Sequence, residues 1–261
     1  MSTERTLICD ISFYQDAAST AVKPELGKMK SAGIEGVILR ASQGIVRDRL
    51  FEYYWGDCDA HSIPRMVYGF LEYWNGSPEA GNQGKFMADW FVGKQRTRGW
   101  LDFERPNANY PALPPRQNCL DMIQNWMTKV DAGLGTESGL YTNLSTIEYL
   151  SPIPSWLINR PFWLSWPPTV PSGKTAIEYT ATLAPPKIAF TNMKVWQFAW
   201  NGPGLAAGME SLGLDIDWFM GNADEFRDFS SGGVTPPVPE LTARQKLLVI
   251  IDELTALSRT L

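Results

Sequence analysis

LICDISFYQDAASTAVKPELGKMKSAGIEGVILRAS, residues 7–42, reads as a strand, a helix and a second strand. The outer runs, LICDIS (7–12) and GVILRAS (36–42), are short and rich in β-favouring residues. Between them Val22, Leu26, Met29 and Ala32 recur at spacings of three and four, which predicts an amphipathic helix over 21–32. The alternation continues down the chain. RMVYGF (65–70), GWLDFE (99–104), SGLYTN (138–143), PFWLSW (161–166) and KVWQFAW (194–200) are further strand-like runs. Their unbroken apolar character suits strands buried on both faces.

Helical spacing recurs over 79–96, through Ala80, Phe86, Met87, Trp90 and Phe91, and over 116–132, through Leu120, Ile123, Trp126, Met127 and Val130. Alternating strands and helices imply a parallel sheet with right-handed crossovers, and seven or eight such strands close into a barrel. Residues 144–193 are rich in proline and show no long helical pattern. The expected fold class is therefore α/β: an irregular (β/α) TIM-like barrel, with reduced helices in its second half, over residues 1–228. FSSGGVTPPVPE, 229–240, has the composition of a linker. Beyond it, Leu247, Ile250, Leu254, Leu257 and Leu261 form a heptad seam. Residues 241–261 read as a C-terminal amphipathic helix that either packs back on the barrel or joins chains into a homo-oligomer.

Composition removes several function classes. His61 is the only histidine of the 261 residues, which excludes a three-histidine zinc site and leaves almost no room for a histidine triad. Cys9, Cys58 and Cys119 form no CxxC pair and read as core thiols of a chain made in a reducing compartment. With 23 Lys and Arg against 28 Asp and Glu, and no long basic run, a nucleic-acid groove is not expected. No apolar stretch approaches the 18 residues of a membrane span, so no membrane insertion is expected. The opening MSTERTLICDIS lacks the regions of a signal peptide, and synthesis in the cytoplasm is expected. Neither GxGxxG after the first strand nor GxxxxGK[ST] occurs, so nucleotide cofactors lose their main support.

Carboxylates remain. Asp102 and Glu104 lie two apart in GWLDFERP and point to one side of a strand. Asp10 closes the apolar part of the first strand, and Asp215 and Asp217 lie in GLDIDWFMG. In a parallel barrel the C-terminal strand ends share one rim, where such acids converge. Crowded carboxylates do not all ionise: one keeps its proton and can donate it, while another stays charged and supports or attacks a sugar ring. That is glycoside hydrolysis without histidine, metal or cofactor. The alternatives at this point are helix caps and turns made by the same aspartates, or a magnesium site. Tyr14, Tyr68, Tyr141, Trp163, Trp166 and Trp196 read either as core or as surfaces that stack on sugar rings.

At these residues the chain resembles the glycoside hydrolase family 25 muramidases. The resemblance rests on eight pieces in order: DISFYQ (10–15), GIEGVILRASQG, YGF (68–70), LDFE (101–104), YTN (141–143), FWLSW (162–166), VWQF (195–198) and LDIDWFMG (214–221). It spans residues 7 to 226 and implies an irregular (β/α) barrel that cuts the β-1,4 bond between N-acetylmuramic acid and N-acetylglucosamine in bacterial peptidoglycan, with no cofactor. By the resemblance Glu104 is the proton donor, Asp102 the neighbouring carboxylate that positions or stabilises the sugar, and Asp10 and Asp215 the other two acids. Asp217 stands where relatives often have Asn and is grouped with the substrate-binding candidates Tyr14, Gln15, Tyr68, Tyr141, Trp163, Trp166, Trp196 and Gln197. The family includes phage endolysins, and release through a holin fits the missing signal peptide. Four departures are expected to alter the groove: Gly69 for a usual His, which removes a polar group there, Gln43 for Glu, and Trp166 and Phe198 each for Tyr. A non-catalytic cell-wall carbohydrate-binding or structural protein on the same barrel is the alternative.

Overall fold

The computed structural model describes residues 4–16, 23–74, 76–77, 79–94, 96–105 and 107–233. Each of the seven expected runs is a strand. They are β1 (Thr6–Ile11), β2 (Gly36–Gln43), β4 (Arg65–Phe70), β5 (Gly99–Asp102), β6 (Gly139–Asn143), β7 (Phe162–Ser165) and β8 (Met193–Ala199). A two-residue β3 (Val46–Arg47) pairs back on the end of β2. The seven long strands pair in parallel, in the order β1-β2-β4-β5-β6-β7-β8. An eighth barrel strand, β9 (Asp215–Phe219), lies antiparallel between β8 and β1 and closes the cylinder.

The helices are α1 (Phe51–His61), α2 (Ala80–Asp89), α3 (Arg116–Leu134), the short α4 (Leu144–Leu150), α5 (Ser155–Ile158) and α6 (Ala176–Thr180), and α7 (Ala223–Ser230). As expected, helix is reduced in the second half. Three details differ from the sequence reading. The described part of the helix expected over 21–32 is a pair of one-turn 3-10 segments, Leu26–Lys28 and Lys30–Ala32. Pro24 supplies no amide donor, and Gly27 packs so closely on the ring of His61 that a Cβ there would come within 2.7 Å of it. The helix expected over 79–96 stops at Asp89. Helix α1 was not anticipated, although Phe51, Tyr54, Trp55 and Cys58 form a buried stripe along it.

Strand alternation splits the interior into two cores. Outward-facing Cys9, Val37, Leu39, Val67, Leu101, Leu164, Trp196 and Ile216 pack under the helices and loops. Inward-facing Ile8, Ile38, Met66, Tyr68, Trp100, Tyr141, Trp163, Val195 and Phe219 fill the barrel. Cys9, Cys58 and Cys119 are buried free thiols, as the composition implied. Among the described residues no helix is long and apolar enough to cross a membrane.

The barrel is plugged from below by Phe226 of α7, which is fully buried against Phe219 and fills the space beside Gly36. A Cβ on Gly36 would lie 1.9 Å from the Phe226 ring. Asn222 caps α7 through the amide of Glu225, whose carboxylate returns to the Asn222 amide. The helix runs through Ser230, past the residue 228 at which the sequence reading closed the domain. The rest of the expected linker from 234 and the heptad helix of 241–261 lie outside the described residues. Phe226→Ala should lower unfolding stability by about 3–5 kcal/mol. A urea titration with an unchanged slope and a stability loss of less than about 1 kcal/mol would show that α7 is not the plug.

Candidate active site

The inward face of each strand carries one residue of the mouth above the aromatic plug. Asp10 ends that face on β1, Arg40 on β2, Phe70 on β4, Asp102 on β5, Asn143 on β6, Ser165 on β7 and Gln197 on β8. Strand β9 is reversed, so its first residue, Asp215, reaches the mouth, and Asp10 and Asp215 are direct register partners. Glu104 follows β5 by two residues. In the closed strand order β5 lies across the barrel from β9 and β1, so Asp102 and Glu104 face Asp10 and Asp215 over the opening.

Burial dominates the electrostatics. Asp10 is pushed up to about 7 by burial, with the charge of Glu104 adding to the shift; hydrogen bonds from Gln197 and Asp217 and the charge of Arg40 oppose it. Asp215 is pushed up to about 9 by burial and by Asp10 and Glu104. Asp102 is raised well above the ordinary carboxylate range by burial, then by Glu104 and Asp10. Its Oδ1 is buried and has no hydrogen-bond partner. Burial also raises Glu104, against a hydrogen bond in which Asn143 Nδ2 donates to Oε2 at 2.8 Å. Burial and crowding thus raise every acid of the cluster, and Asp215, at about 9, keeps its proton at neutral pH.

Gln197 organises the cluster. Its Nε2 donates to Asp10 Oδ2 at 2.8 Å. Its Oε1 accepts from Ser165 Oγ at 2.8 Å, Tyr141 Oη at 2.9 Å and Trp200 Nε1 at 3.1 Å. Asp217 lies one inward position below Asp215 and is fully buried. Trp163 Nε1 donates to its Oδ1 at 2.7 Å, while Oδ2 receives no donor. Asp217 is raised well above the usual range by burial and by Asp10. Its closeness to Asp10 raises Asp217 further and lowers Asp10. Asp217 supports the floor and does not line the cleft.

The other candidates divide. Tyr141, Trp166 and Gln197 line a cleft of about 560 Å³ together with Glu104, Asn143 and Asp215. Tyr68 and Trp163 are buried inside the barrel beneath the acids. Trp196 faces outward, wholly buried, with its Nε1 on the Trp166 carbonyl, so it is core. Gln15 Oε1 accepts the Ser12 amide at 2.7 Å in a capping box and braces the loop after β1. Tyr14 is 65% exposed beside Phe13, with the Arg40 guanidinium 5.2 Å from its ring. Gly69 also faces outward, where a Cβ would meet Met87 and Trp126, so the absent His takes nothing from the groove. Phe198 is likewise outside the barrel, stacked on Trp218. Of the four departures, Gln43, bonded to Glu72, and Trp166 lie at the mouth.

The sequence reading missed Arg40, Asn143, Ser165 and Trp200. Arg40 is the buried cation of the cluster, held by Asp48 at 2.9 Å. Trp200 is 61% exposed in the cleft wall, yet its indole nitrogen is tied to Gln197. His61 lies at the far end of α1, with its Nε2 3.3 Å from Asp57 Oδ1, away from the acids. Among the described residues no group of three or more His, Cys, Asp or Glu side chains is arranged to hold a metal ion.

The family model for glycosyl hydrolases family 25 matches residues 9–204. Among solved structures, the bacterial lysozyme from Streptomyces coelicolor superposes with a TM-score of 0.64 at 19% identity, covering 88% of this chain and 99% of that one. A family 25 glycosyl hydrolase from Bacillus anthracis gives 0.63 at 16%, covering 87% and 94%. The catalytic domain of a Listeria monocytogenes bacteriophage endolysin gives 0.59 at 16%, covering 87% and 99%. At these identities the superpositions show a shared fold. No curated protein sequence matches the chain.

Raised carboxyl pKa values have a consequence for stability. Between the unfolded value near 4 and the folded values of Asp10 and Asp215, the folded chain binds more protons than the unfolded one. Stability therefore falls as pH rises from about 4 to about 9. Asp16, held at about 2 chiefly by its hydrogen bond with Arg49, acts oppositely and only in acid. The melting temperature of the unliganded protein should decline over that range, and Asp215→Asn should flatten its upper part. An identical slope in the variant would contradict the burial argument.

Proposed function

The chain belongs to glycosyl hydrolase family 25, and on that premise we propose that it is a peptidoglycan muramidase that cuts the β-1,4 bond between N-acetylmuramic acid and N-acetylglucosamine. The observation that carries this reading is the convergence of Asp10, Asp102, Glu104 and Asp215 in one desolvated mouth beside an aromatic-walled cleft. Glu104 is the general acid. Burial raises its carboxyl and so favours the protonated form, while the Asn143 amide fixes the carboxyl at the cleft wall. The proton passes to the glycosidic oxygen as the bond to the anomeric carbon breaks.

Asp102 holds the reacting sugar. Its unpartnered Oδ1 suits the N–H of an acetamide, since a buried acceptor left without a donor is unfavourable. The acetamide oxygen, or a neighbouring carboxylate, then attacks the anomeric carbon from the opposite face. Water displaces it, returning its proton to Glu104, and the configuration is retained. Trp166 and Trp200 offer ring faces to the sugars flanking the bond.

Family 25 membership supports action on a bacterial wall, and the proposal extends to release through a holin. The leucine seam of residues 241–261 supports association of chains, which would hold several catalytic domains against one polymer. Glu104→Gln should reduce the release of reducing ends from purified walls by about 10²–10⁴ with the melting temperature kept. A folded variant with more than half the wild-type rate would remove Glu104 from the donor role. NMR of the first-formed anomer should show the β configuration; an α product would mean that acids facing each other over the mouth, such as Glu104 and Asp215, act by inversion.

A further inference from the structure

A second aromatic wall stands on the other side of Asp102 from Trp166 and Trp200. Phe70, the last residue of β4, is the register partner of Asp102. Its ring meets Trp74 at 6.3 Å and Tyr110 at 6.1 Å between centroids, and those two rings meet each other at 5.9 Å. Trp74 comes from the loop after β4 and Tyr110 from the loop after β5. With Tyr73, Asn109 and Pro111 they line an open cleft of about 590 Å³. The aromatic triad thus leads from the acid cluster into a space that the catalytic groups do not occupy.

This wall is preorganised. Tyr73 Oη donates to the Pro111 carbonyl at 3.2 Å, and Tyr149 Oη to the Pro114 carbonyl at 2.8 Å. Arg105 Nε donates to the Tyr110 carbonyl at 3.1 Å, and Cys119 Sγ to the Pro114 carbonyl. A loop held by four hydrogen bonds at three of its carbonyls, with prolines at 111, 114 and 115, loses little freedom when a ligand arrives. Every residue lining the cleft is uncharged. A neutral ring with one apolar face and edge hydroxyls matches that lining. A peptide stem, which carries carboxylates and amines, does not.

We infer that Trp74 and Tyr110 form a remote subsite for an N-acetylated hexose of the same glycan strand, beyond the pair of sugars joined by the scissile bond. The inference rests on the muramidase reading. The acid cluster then lies between two sugar-binding walls, and the enzyme favours long chains, because a short one reaches only one wall.

The test uses the full chain and peptide-free glycan chains of graded length. Trp74→Ala and Tyr110→Ala should each lower kcat/KM on long chains by roughly tenfold, with a several-fold smaller loss on the shortest chain that is cut. Trp74→Phe should recover most of the length preference, which separates stacking from a folding defect. Equal losses at every length, or no loss at any, would overturn the subsite. A loss confined to chains still bearing peptide stems would assign the cleft to the stem and overturn it too. Wild-type protein that cuts no chain would overturn the muramidase reading itself, whereas cutting without a length effect would overturn the subsite alone.

Discussion

Because β9 enters the barrel in the direction opposite to both its neighbours, the beginning of that strand lies at the mouth. Seven parallel strands deliver the residues at their C-terminal ends to one rim. The reversed strand delivers Asp215 from its N-terminal end and lays it against Asp10. It also puts Asp217 one layer down, on the indole of Trp163. Without the reversal that edge of the mouth would carry Phe219, and the two neighbouring strands would contribute one acid instead of two.

Below the acids the barrel is filled with Tyr68, Trp100, Tyr141, Trp163 and Phe219, and beneath them Phe226. This plug keeps water from the underside of the carboxylates, and burial is the leading cause of every raised value in the cluster. Polar edges of the same aromatic residues are then directed upward: Trp163 to Asp217 and Tyr141 to Gln197. Apolar filling and polar support come from the same side chains. Arg40 supplies the opposing charge, pinned by Asp48 so that it cannot swing out to solvent.

The barrel was legible because strands buried on both faces read as unbroken apolar runs. The four main acids were legible because each interrupts or ends such a run. Two kinds of feature were not. Helix α1 is built from aromatic residues that favour strands and contains Gly56, so its stripe of Phe51, Tyr54, Trp55 and Cys58 carries a conflicting local signal. Strand β9 is short and nearly half acidic, and its direction is a property of the closed sheet rather than of its own residues. Asp215 reaches the rim from the start of a reversed strand, not from the end of a parallel one. The role of each aromatic residue follows the inward or outward parity of its strand. Trp196 and Phe198 alternate with the inward Val195 and Gln197 and so belong to the outer core. Trp200 escaped notice because it lies just past the strand, where parity no longer applies.

Helix α7 also decides where the chain departs. Strand β9 carries the backbone from the mouth to the floor, and α7 then lies across the floor. Phe226 packs beside Gly36 at the start of β2, and the Ser230 carbonyl accepts the Arg98 amide just ahead of β5. Gly232 rests against Thr136, ahead of β6. Residue 233 is therefore on the face opposite the carboxylates. An anchor placed at that point would hold the barrel with its open end turned away from the anchoring surface, so the reach of the leash, set by its length and composition, would govern whether the same surface could be cut.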